Sequence, residues 1–204
     1  GVDFWEKKMQ SAWGLRRELG PAGAEHTNAF RLVHGEGDGL PGLIIDIYGE
    51  TAVLQCHSAG MYRQRERLVH ALRRVLGEEL KAIYDKSVDH LPPALTDGTT
   101  DGYLWGQSEP GFIREHGHEF LVDWEKGQKT GFFLDQRENR QLLSGYAEGK
   151  SVLNLYAYSG GFSVYALQAG ARDVVSVDSS ARGLDWARHN VERLGAADRH
   201  ELVC

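Results

Sequence analysis

Residues 151–178 read SVLNLYAYSGGFSVYALQAGARDVVSVD, and their pattern decides the fold. A continuous apolar run over residues 151–156 predicts a buried strand, and residues 158–161 predict a tight turn after it. Residues 162–169 then predict a helix, and residues 173–177 predict a second buried strand. A further amphipathic helix follows. This order of strand, helix, strand and helix implies a parallel sheet with right-handed crossovers.

The carboxyl ends of these strands predict a ligand site, because ligands of open parallel sheets lie there. Gly160 and Gly161 allow the backbone to approach a ligand closely, although a sharp turn alone would also explain them. Asp178 ends the second strand, where a carboxylate can accept hydrogen bonds from both hydroxyls of a ribose. The alternative is that Asp178 caps the next helix, a role that Ser179 and Ser180 could fill equally well.

The glycine pattern bears on which nucleotide would bind. A nicotinamide dinucleotide site carries G-x-G-x-x-G, whereas residues 159–164 read SGGFSV and lack the third glycine. The sequence therefore favours an adenosyl ligand without a pyrophosphate over a dinucleotide. S-adenosylmethionine is the obvious candidate.

Residues 112–140 lead into this region. FIREHGHEFLVDW at residues 112–124 predicts a hairpin turned at His116–Gly117, and GQKTGFFLDQRENR follows at residues 127–140. Asp135 and Glu138 have the spacing of a capping box, which predicts a helix start. A helix N-terminus suits a carboxylate or another anion.

The first half of the chain reads as a small α+β module. Its GEGDGLPG segment at residues 35–42 lacks the Lys-Ser/Thr pair and the helix of a phosphate loop, so we expect a structural turn. Strands are predicted over residues 30–34 and in a hairpin over residues 43–57 turned at Gly49–Glu50, and helices over residues 5–19 and 62–76.

Composition limits the classes of function. The 204 residues are 41% hydrophobic and 25% charged, with a net charge of −6, which argues against a protein that coats nucleic acid over its whole surface. With no apolar run of roughly 18 residues and no secretory pattern, we expect no membrane partner and a cytoplasmic location. Cys56 and Cys204 are too few for a disulfide framework or a four-cysteine zinc site, and we expect no metal.

The segment from Met61 to Arg74 departs from this acidic background. It carries arginines at positions 63, 65, 67, 73 and 74 against a single Glu66, a local balance of +4. A solvated face of an amphipathic helix explains this run. The alternative is a face that contacts phosphates through Arg63, Arg65 and Arg67.

Several motifs together resemble a known family. They are FRLVHGEGDGLPGLIIDIYG at residues 30–49, GQKTGFFLDQRENR at 127–140, NLYAYSGGFSVYAL at 154–167 and VVSVDSS at 174–180. The chain resembles, over nearly its whole length, the RlmI-like family of class I S-adenosylmethionine-dependent ribosomal RNA methyltransferases, cytosine-C5 enzymes of the large subunit. The resemblance implies an α/β protein. A central, RNA-facing α+β module would span residues 1–109. A hairpin and the N-terminal part of an incomplete Rossmann-like methyltransferase domain would span residues 110–204.

The resemblance also implies a site. The KTGFFLDQR segment would close over the methionine end of the cofactor, with the phenylalanines as apolar walls and residues 135–137 as polar contacts. Core packing is the alternative for the phenylalanines, and we expect it for one of them. The expected cofactor-binding residues are Phe132, Phe133, Asp135, Arg137, Asn154, Tyr156, Tyr158, Ser159, Gly160, Gly161, Asp178 and Ser179.

By the same resemblance the partner is ribosomal RNA and the product 5-methylcytosine. The family's N-terminal PUA domain, its Asp-Pro-Pro motif and its cysteine nucleophile are missing here, so we expect a fragment without catalytic residues. The bare edge of a partial parallel sheet predicts self-association as a homodimer, or marginal folding. Two alternatives stay open: a methyltransferase of this family with another target, and a non-catalytic RNA-binding or dimerisation module.

Overall fold

The computed structural model describes residues 2–20, 22–96 and 98–204, without the side chains of residues 2 and 3. The chain forms two compact units. The first unit runs to Glu109 and includes Trp124–Lys126, and the second comprises Pro110–Asp123 and Gly127–Cys204. Within the described residues, no helix combines the length and the apolar character needed to cross a membrane.

The first unit is built on a five-stranded sheet in the order β1-β2-β3-β4-β5. Only the β3–β4 pair is parallel. The predicted hairpin is confirmed, since Tyr48 pairs with Thr51 across its turn. The strands are β1 Ala29–His34, β2 Leu43–Tyr48, β3 Thr51–Cys56, β4 Ala82–Asp85 and β5 Gly102–Gly106.

The helices of the first unit supply its core. Met9 of one helix and Leu68 and Leu72 of another are fully buried with Leu32 and Leu54 of the sheet. The helices are α1 Val2–Glu18, α2 Ala59–Tyr62, α3 Arg65–Leu76 and α4 Pro93–Thr96. The single helix predicted over residues 62–76 was therefore wrong at its start, because α2 ends at Tyr62 and α3 begins at Arg65.

The GEGDGLPG segment forms a structural turn, as predicted. Residues Gly35–Asp38 make a short 3-10 helix, and Gly39 follows in the left-handed region at φ 65°. Both carboxylate oxygens of Asp38 accept hydrogen bonds from Arg16, and Oδ2 also accepts the His34 N–H at 2.6 Å. The Asp38 carboxylate of this turn is thus paired within the unit.

The second unit begins with the predicted hairpin of β6 Gly111–Glu115 and β7 His118–Val122. A parallel sheet in the order β10-β9-β8 follows, which confirms the parallel α/β arrangement. Its strands are β8 Ser151–Leu155, β9 Asp173–Val177 and β10 His200–Val203, and the helices are α5 Arg137–Ala147, α6 Gly161–Gln168 and α7 Ala181–Leu194.

The predicted capping box of Asp135 and Glu138 was wrong. A 3-10 turn over Leu134–Gln136 delays the helix, so α5 starts at Arg137 with Gln136 at its N-cap and no side-chain capping bond. The Asp135 carboxylate instead accepts hydrogen bonds from Lys129 Nζ at 3.0 Å and Gln136 Nε2 at 3.2 Å. Asp135 is therefore tied to the preceding loop.

Candidate functional site

A cavity of about 300 Å³ lies in the second unit, between the GQKTGFFLDQRENR segment and the turn after β8. That volume is at the lower end of the range for small-molecule sites. Seven expected site residues line it: Phe132, Phe133, Asp135, Tyr156, Tyr158, Ser159 and Gly161. The lining also includes Lys129, Gln136, Arg140, Ala157 and Phe162.

Two tyrosines give the turn after β8 an unusual backbone. Tyr156 and Tyr158 have φ of 56° and 48°, in the left-handed region that side chains with a Cβ rarely adopt. Such strain costs on the order of 1–3 kcal/mol and concentrates at functional sites. Tyr156 is 92% exposed at the cavity, whereas Tyr158 is buried.

The Tyr158 hydroxyl holds the opposite wall of the cavity. It accepts the Gln128 N–H at 3.0 Å and donates to the Gly131 carbonyl at 3.0 Å. Burial, the largest influence, raises the pKa of Tyr158 to about 12, so the phenol stays protonated and can keep donating. Tyr158 therefore joins the turn after β8 to the loop at residues 127–131.

Ser159 provides the clearest sign of a ligand. The residue is 2% exposed and belongs to the cavity lining, and its buried hydroxyl has no hydrogen-bond partner among the described residues. Its carbonyl, by contrast, accepts a hydrogen bond from Asn190 Nδ2 at 2.9 Å. A buried unpaired hydroxyl costs about 1–3 kcal/mol, which a ligand that bonds to it would offset.

The two glycines of the turn have different reasons to be glycine. At Gly160 a Cβ would lie 2.9 Å from Ala187 Cβ, so packing between the start of α6 and α7 excludes a side chain. At Gly161 a Cβ would lie 3.2 Å from Arg140 Cδ and 3.4 Å from Phe132 Cζ, at the wall of the cavity. Only Gly161 borders the space for a ligand.

The two phenylalanines divide between core and cavity. Phe132 is buried with its ring 5.0 Å from that of Phe120, which is the core role we expected for one of them. Phe133 is half-buried, stands edge-on to Tyr158 at 5.3 Å, and has Lys129 Nζ 4.3 Å from its ring centre. Phe133 is therefore the more accessible apolar surface.

Asp178 organises the turn from outside the cavity lining. Its Oδ2 accepts the Tyr158 N–H and its Oδ1 the Ser180 N–H, both at 2.8 Å. The N-cap of α7 is Ser180, whose hydroxyl accepts the Gly183 N–H at 3.1 Å, so Asp178 does not have that role. Each carboxylate oxygen keeps a second lone pair for a further donor.

Three other expected residues lie away from the cavity. Asn154 donates to Ser163 Oγ at 2.9 Å, and Arg137 donates to Glu115 Oε2 at 3.3 Å. Ser179 is exposed beside Asp178. Their places in the motifs predicted a direct role, and in the structure Asn154 and Arg137 are hydrogen-bonded to neighbouring elements and are not among the residues that line the cavity.

The charges at the cavity are partly paired. Partial burial acts to raise the pKa of Asp135, but hydrogen bonds from Lys129 and Gln136 outweigh it and hold that pKa below its usual value. Asp135 is therefore a carboxylate at neutral pH. Lys129 and Arg140 were not among the expected site residues, although both lie in the GQKTGFFLDQRENR motif, where cations could have indicated an anionic group of a ligand.

The cysteines lie outside this cavity. Cys56 is fully buried in the first unit, and burial raises its pKa to about 12, so the thiol is protonated and unreactive at neutral pH. Cys204 is exposed at the end of β10. Across residues 2–20, 22–96 and 98–204, no group of three His, Cys, Asp or Glu side chains is arranged to hold a metal ion.

Comparison with known proteins identifies the class to which this fold and site belong. A family model described as S-adenosylmethionine-dependent methyltransferase matches residues 95–202. The chain belongs to this family, whose cofactor is S-adenosylmethionine. Among solved structures, a SAM-dependent methyltransferase from Streptococcus mutans matches with a TM-score of 0.87 and 31% identity, covering all of this chain and 52% of its own. A methyltransferase complexed with SAH matches with a TM-score of 0.86 and 31% identity, over 100% of this chain and 51% of its own.

Curated relatives narrow the class. The chain is 42% identical over 196 residues to ribosomal RNA large subunit methyltransferase I of Erwinia tasmaniensis. The matched region covers 95% of this chain and 48% of the relative. The chain is 43% identical over 193 residues to the protein of the same name from Escherichia coli, covering 94% and 48%. The chain thus spans about half the length of these relatives.

Proposed function

We propose that the cavity binds S-adenosylmethionine and that the chain supplies the cofactor side of a methyltransferase forming 5-methylcytosine in large-subunit ribosomal RNA. The observation that carries the cofactor proposal is the unpartnered, buried hydroxyl of Ser159 in a cavity at the carboxyl end of β8. The names of the curated relatives support the RNA substrate. The base and atom rest on the family resemblance.

The residues present fit the chemistry of this cofactor. Lys129 is a cation suited to its carboxylate, and Asp135 is an anion suited to its ammonium group. Arg140 is buried in the wall, where its guanidinium bonds to Glu115 and to the Phe133 carbonyl. Phe133 and Tyr156 offer apolar surface, while Ser159 and the free lone pairs of Asp178 suit ribose hydroxyls. The bound cofactor would supply an electrophilic methyl group.

Asn154 and Gly160 would act from behind the cavity through a hydrogen bond and close packing, and Arg137 would hold β6 against α5 through Glu115. Ser179 would contact the cofactor from its exposed position beside Asp178.

Calorimetric titration of the chain with S-adenosylhomocysteine tests the site. Asp178→Ala should weaken binding by about 1–3 kcal/mol, through lost hydrogen bonds to a charged acceptor. Asp38→Ala is the matched control, because Asp38 also accepts a backbone N–H in a glycine-rich turn, and it should leave affinity unchanged. Undetectable binding by the unaltered chain would favour the non-catalytic RNA-binding or dimerisation module instead.

We propose that this chain alone does not methylate RNA. Cytosine-C5 transfer needs a nucleophile at C6, and the buried Cys56 and the exposed Cys204 both lie outside the cofactor cavity. The test is methyl transfer from labelled cofactor to protein-free large-subunit RNA, with a full-length enzyme as positive control. Turnover lost on Cys56→Ala or Cys204→Ala would place the nucleophile in this chain, and turnover surviving both would contradict a cysteine mechanism.

The full-length control also tests the target. Digestion of the methylated RNA and mass spectrometry of its nucleosides should give 5-methylcytidine. Another methylated nucleoside would establish the alternative of a same-family enzyme with a different target.

We propose that the end of α2 and the start of α3 contact RNA phosphates through Arg63 and Arg67, a smaller set of arginines than the sequence suggested. Arg63 and Arg67 are exposed. Arg65 instead donates to Asp85 at 2.8 Å and lies over the Tyr62 ring at 3.4 Å, so its role is structural. Replacing Arg63 and Arg67 with alanine should reduce the slope of log affinity against log salt by about 2. An unchanged slope would leave a solvated face.

We also propose that the chain self-associates through the second unit. β8 is an edge strand of the parallel sheet, and Leu153 and Leu155 on it are 63% and 55% exposed. Exposed apolar edges of parallel sheets invite pairing. Sedimentation velocity should show a dimer. A stable monomer with a cooperative thermal transition would contradict this.

A further inference from the structure

Glu115, the last residue of β6, carries a carboxylate that the proposed chemistry does not use. It is fully buried and accepts hydrogen bonds from Arg140 Nε and Nη2, each at 2.8 Å, and from Arg137 Nε at 3.3 Å. The Tyr165 hydroxyl donates to it at 3.1 Å. A buried carboxylate held by two cations and a phenol is strongly fixed in place.

Arg140 connects this carboxylate to the cofactor cavity. Its Nη1 donates to the Phe133 carbonyl at 3.0 Å, and its guanidinium lies 4.6 Å from the centre of the Phe132 ring. Arg140 is 2% exposed and lines the cavity beside Gly161. With Nε and Nη2 bonded to Glu115, the third nitrogen, Nη1, is directed toward the Phe133 carbonyl at the cavity wall.

Arg137 provides an internal comparison. It shares the Glu115 carboxylate, one helical turn before Arg140. Among the described residues, the cavity lining includes Arg140 and not Arg137. Arg137 and Arg140 thus both hold β6 against α5 through Glu115, whereas Arg140 alone of the two also shapes the cavity.

We propose that Glu115 is a positioning residue for the cofactor site, which acts through Arg140 to fix the Phe132–Phe133 wall. The bidentate contact sets the plane of the guanidinium, and that plane sets the place of the Phe133 carbonyl. This proposal rests on the proposed cofactor site. Tyr165 completes the arrangement: burial and the Glu115 charge raise the pKa of Tyr165, so it remains a protonated donor.

The first test is affinity for S-adenosylhomocysteine by calorimetry on the whole chain. Arg140→Gln and Glu115→Gln should each weaken binding on the order of tenfold, because the Phe132–Phe133 wall is no longer fixed in place. Arg137→Gln is the matched control. It should lower the melting temperature but leave the dissociation constant within about twofold, since it lies off the cavity wall.

A double variant tests whether Glu115 acts through Arg140. Glu115→Gln combined with Arg140→Gln should bind no more weakly than Arg140→Gln alone. Losses that multiply would overturn the proposal. Arg140→Lys keeps a cation beside Glu115 but loses the fork, so it should still weaken binding, and it decides the question if Glu115→Gln fails to fold.

Hydrogen exchange on the ligand-free chain separates this proposal from the cofactor site itself. Amides of residues 128–136 should exchange faster in Glu115→Gln and Arg140→Lys than in the unaltered chain. In Arg137→Gln their exchange rates should equal those of the unaltered chain. Faster exchange in a chain that never binds S-adenosylhomocysteine would defeat the cofactor proposal alone. Unchanged exchange and unchanged affinity in Arg140→Lys would defeat the positioning role.

Discussion

The turn at residues 35–42 and the turn at residues 156–161 are both rich in glycine, but their polar groups differ. In the first, Asp38 accepts bonds from Arg16 and the His34 N–H, and the Gly39 N–H bonds to Glu36. In the second, the Ser159 hydroxyl is buried without a partner in the part of the chain that the structure describes, and two tyrosines adopt a left-handed backbone conformation. Glycine content therefore does not identify a ligand site. The feature that sets the second turn apart is its unpaired hydroxyl beside a cavity.

The largest expected difference between the two turns is in how they tolerate a methyl group. Gly160→Ala should destabilise the chain by about 2–4 kcal/mol, because left-handed strain adds to a 2.9 Å clash with Ala187. Gly39→Ala meets only the end of the Lys8 side chain, which can move, and should cost about 1 kcal/mol. Urea unfolding measures both, and equal losses would break the comparison.

Two buried serines sharpen the contrast between paired and unpaired hydroxyls. Ser87 in the first unit accepts the Cys56 N–H at 2.9 Å and donates to Asp85. Ser87→Ala should therefore destabilise the chain by about 1–3 kcal/mol. Ser159→Ala should instead raise the ligand-free stability by up to about 1–3 kcal/mol, because it removes a buried hydroxyl that has no hydrogen bond to lose among the described residues.

The Ser159→Ala variant should have the opposite effect on ligand binding. It should weaken affinity for S-adenosylhomocysteine by about 1 kcal/mol, while Ser87→Ala should not affect it. Calorimetry on both variants checks this. A destabilised Ser159→Ala with normal affinity would mean that the hydroxyl serves the fold and not the ligand.

The smallest expected effect concerns the paired polar groups beneath the second turn. The Oγ atoms of Ser163 and Ser176 are 2.6 Å apart, and Ser176 Oγ lies 2.7 Å from His200 Nε2. Burial lowers the pKa of His200, so the unfolded chain binds a proton more readily than the folded one. This contribution to stability is present above the unfolded pKa, near 6.5, and is lost as the pH falls toward the folded value.

His200→Gln should therefore make stability less dependent on pH between about 7 and 5. Thermal or urea unfolding of the two proteins across that range measures the difference. A variant with the pH dependence of the unaltered chain would show that His200 does not contribute.

Much of the framework was predictable from local pattern. Period-two and continuous apolar runs predicted both hairpins and the places of the strands β8 and β9. The predicted burial of β8 was wrong, because β8 is an edge strand on which Leu153 and Leu155 are exposed. The start of α5 was not predictable from Asp135, because a 3-10 turn shifted the N-cap to Gln136. Helix boundaries depend on which of several caps the tertiary contacts select.

The sequence by itself determined the parallel α/β class, the glycine turn after β8, and the family motifs from residues 127–180. The tertiary structure alone decided which motif residues reach the cavity. It turned Arg137 toward Glu115, gave Arg140 a place in the cavity wall, and left Ser159 without a partner. The physical reason is that burial and hydrogen bonding join residues distant in sequence, such as Glu115 and Arg140, whose pairing no local pattern encodes.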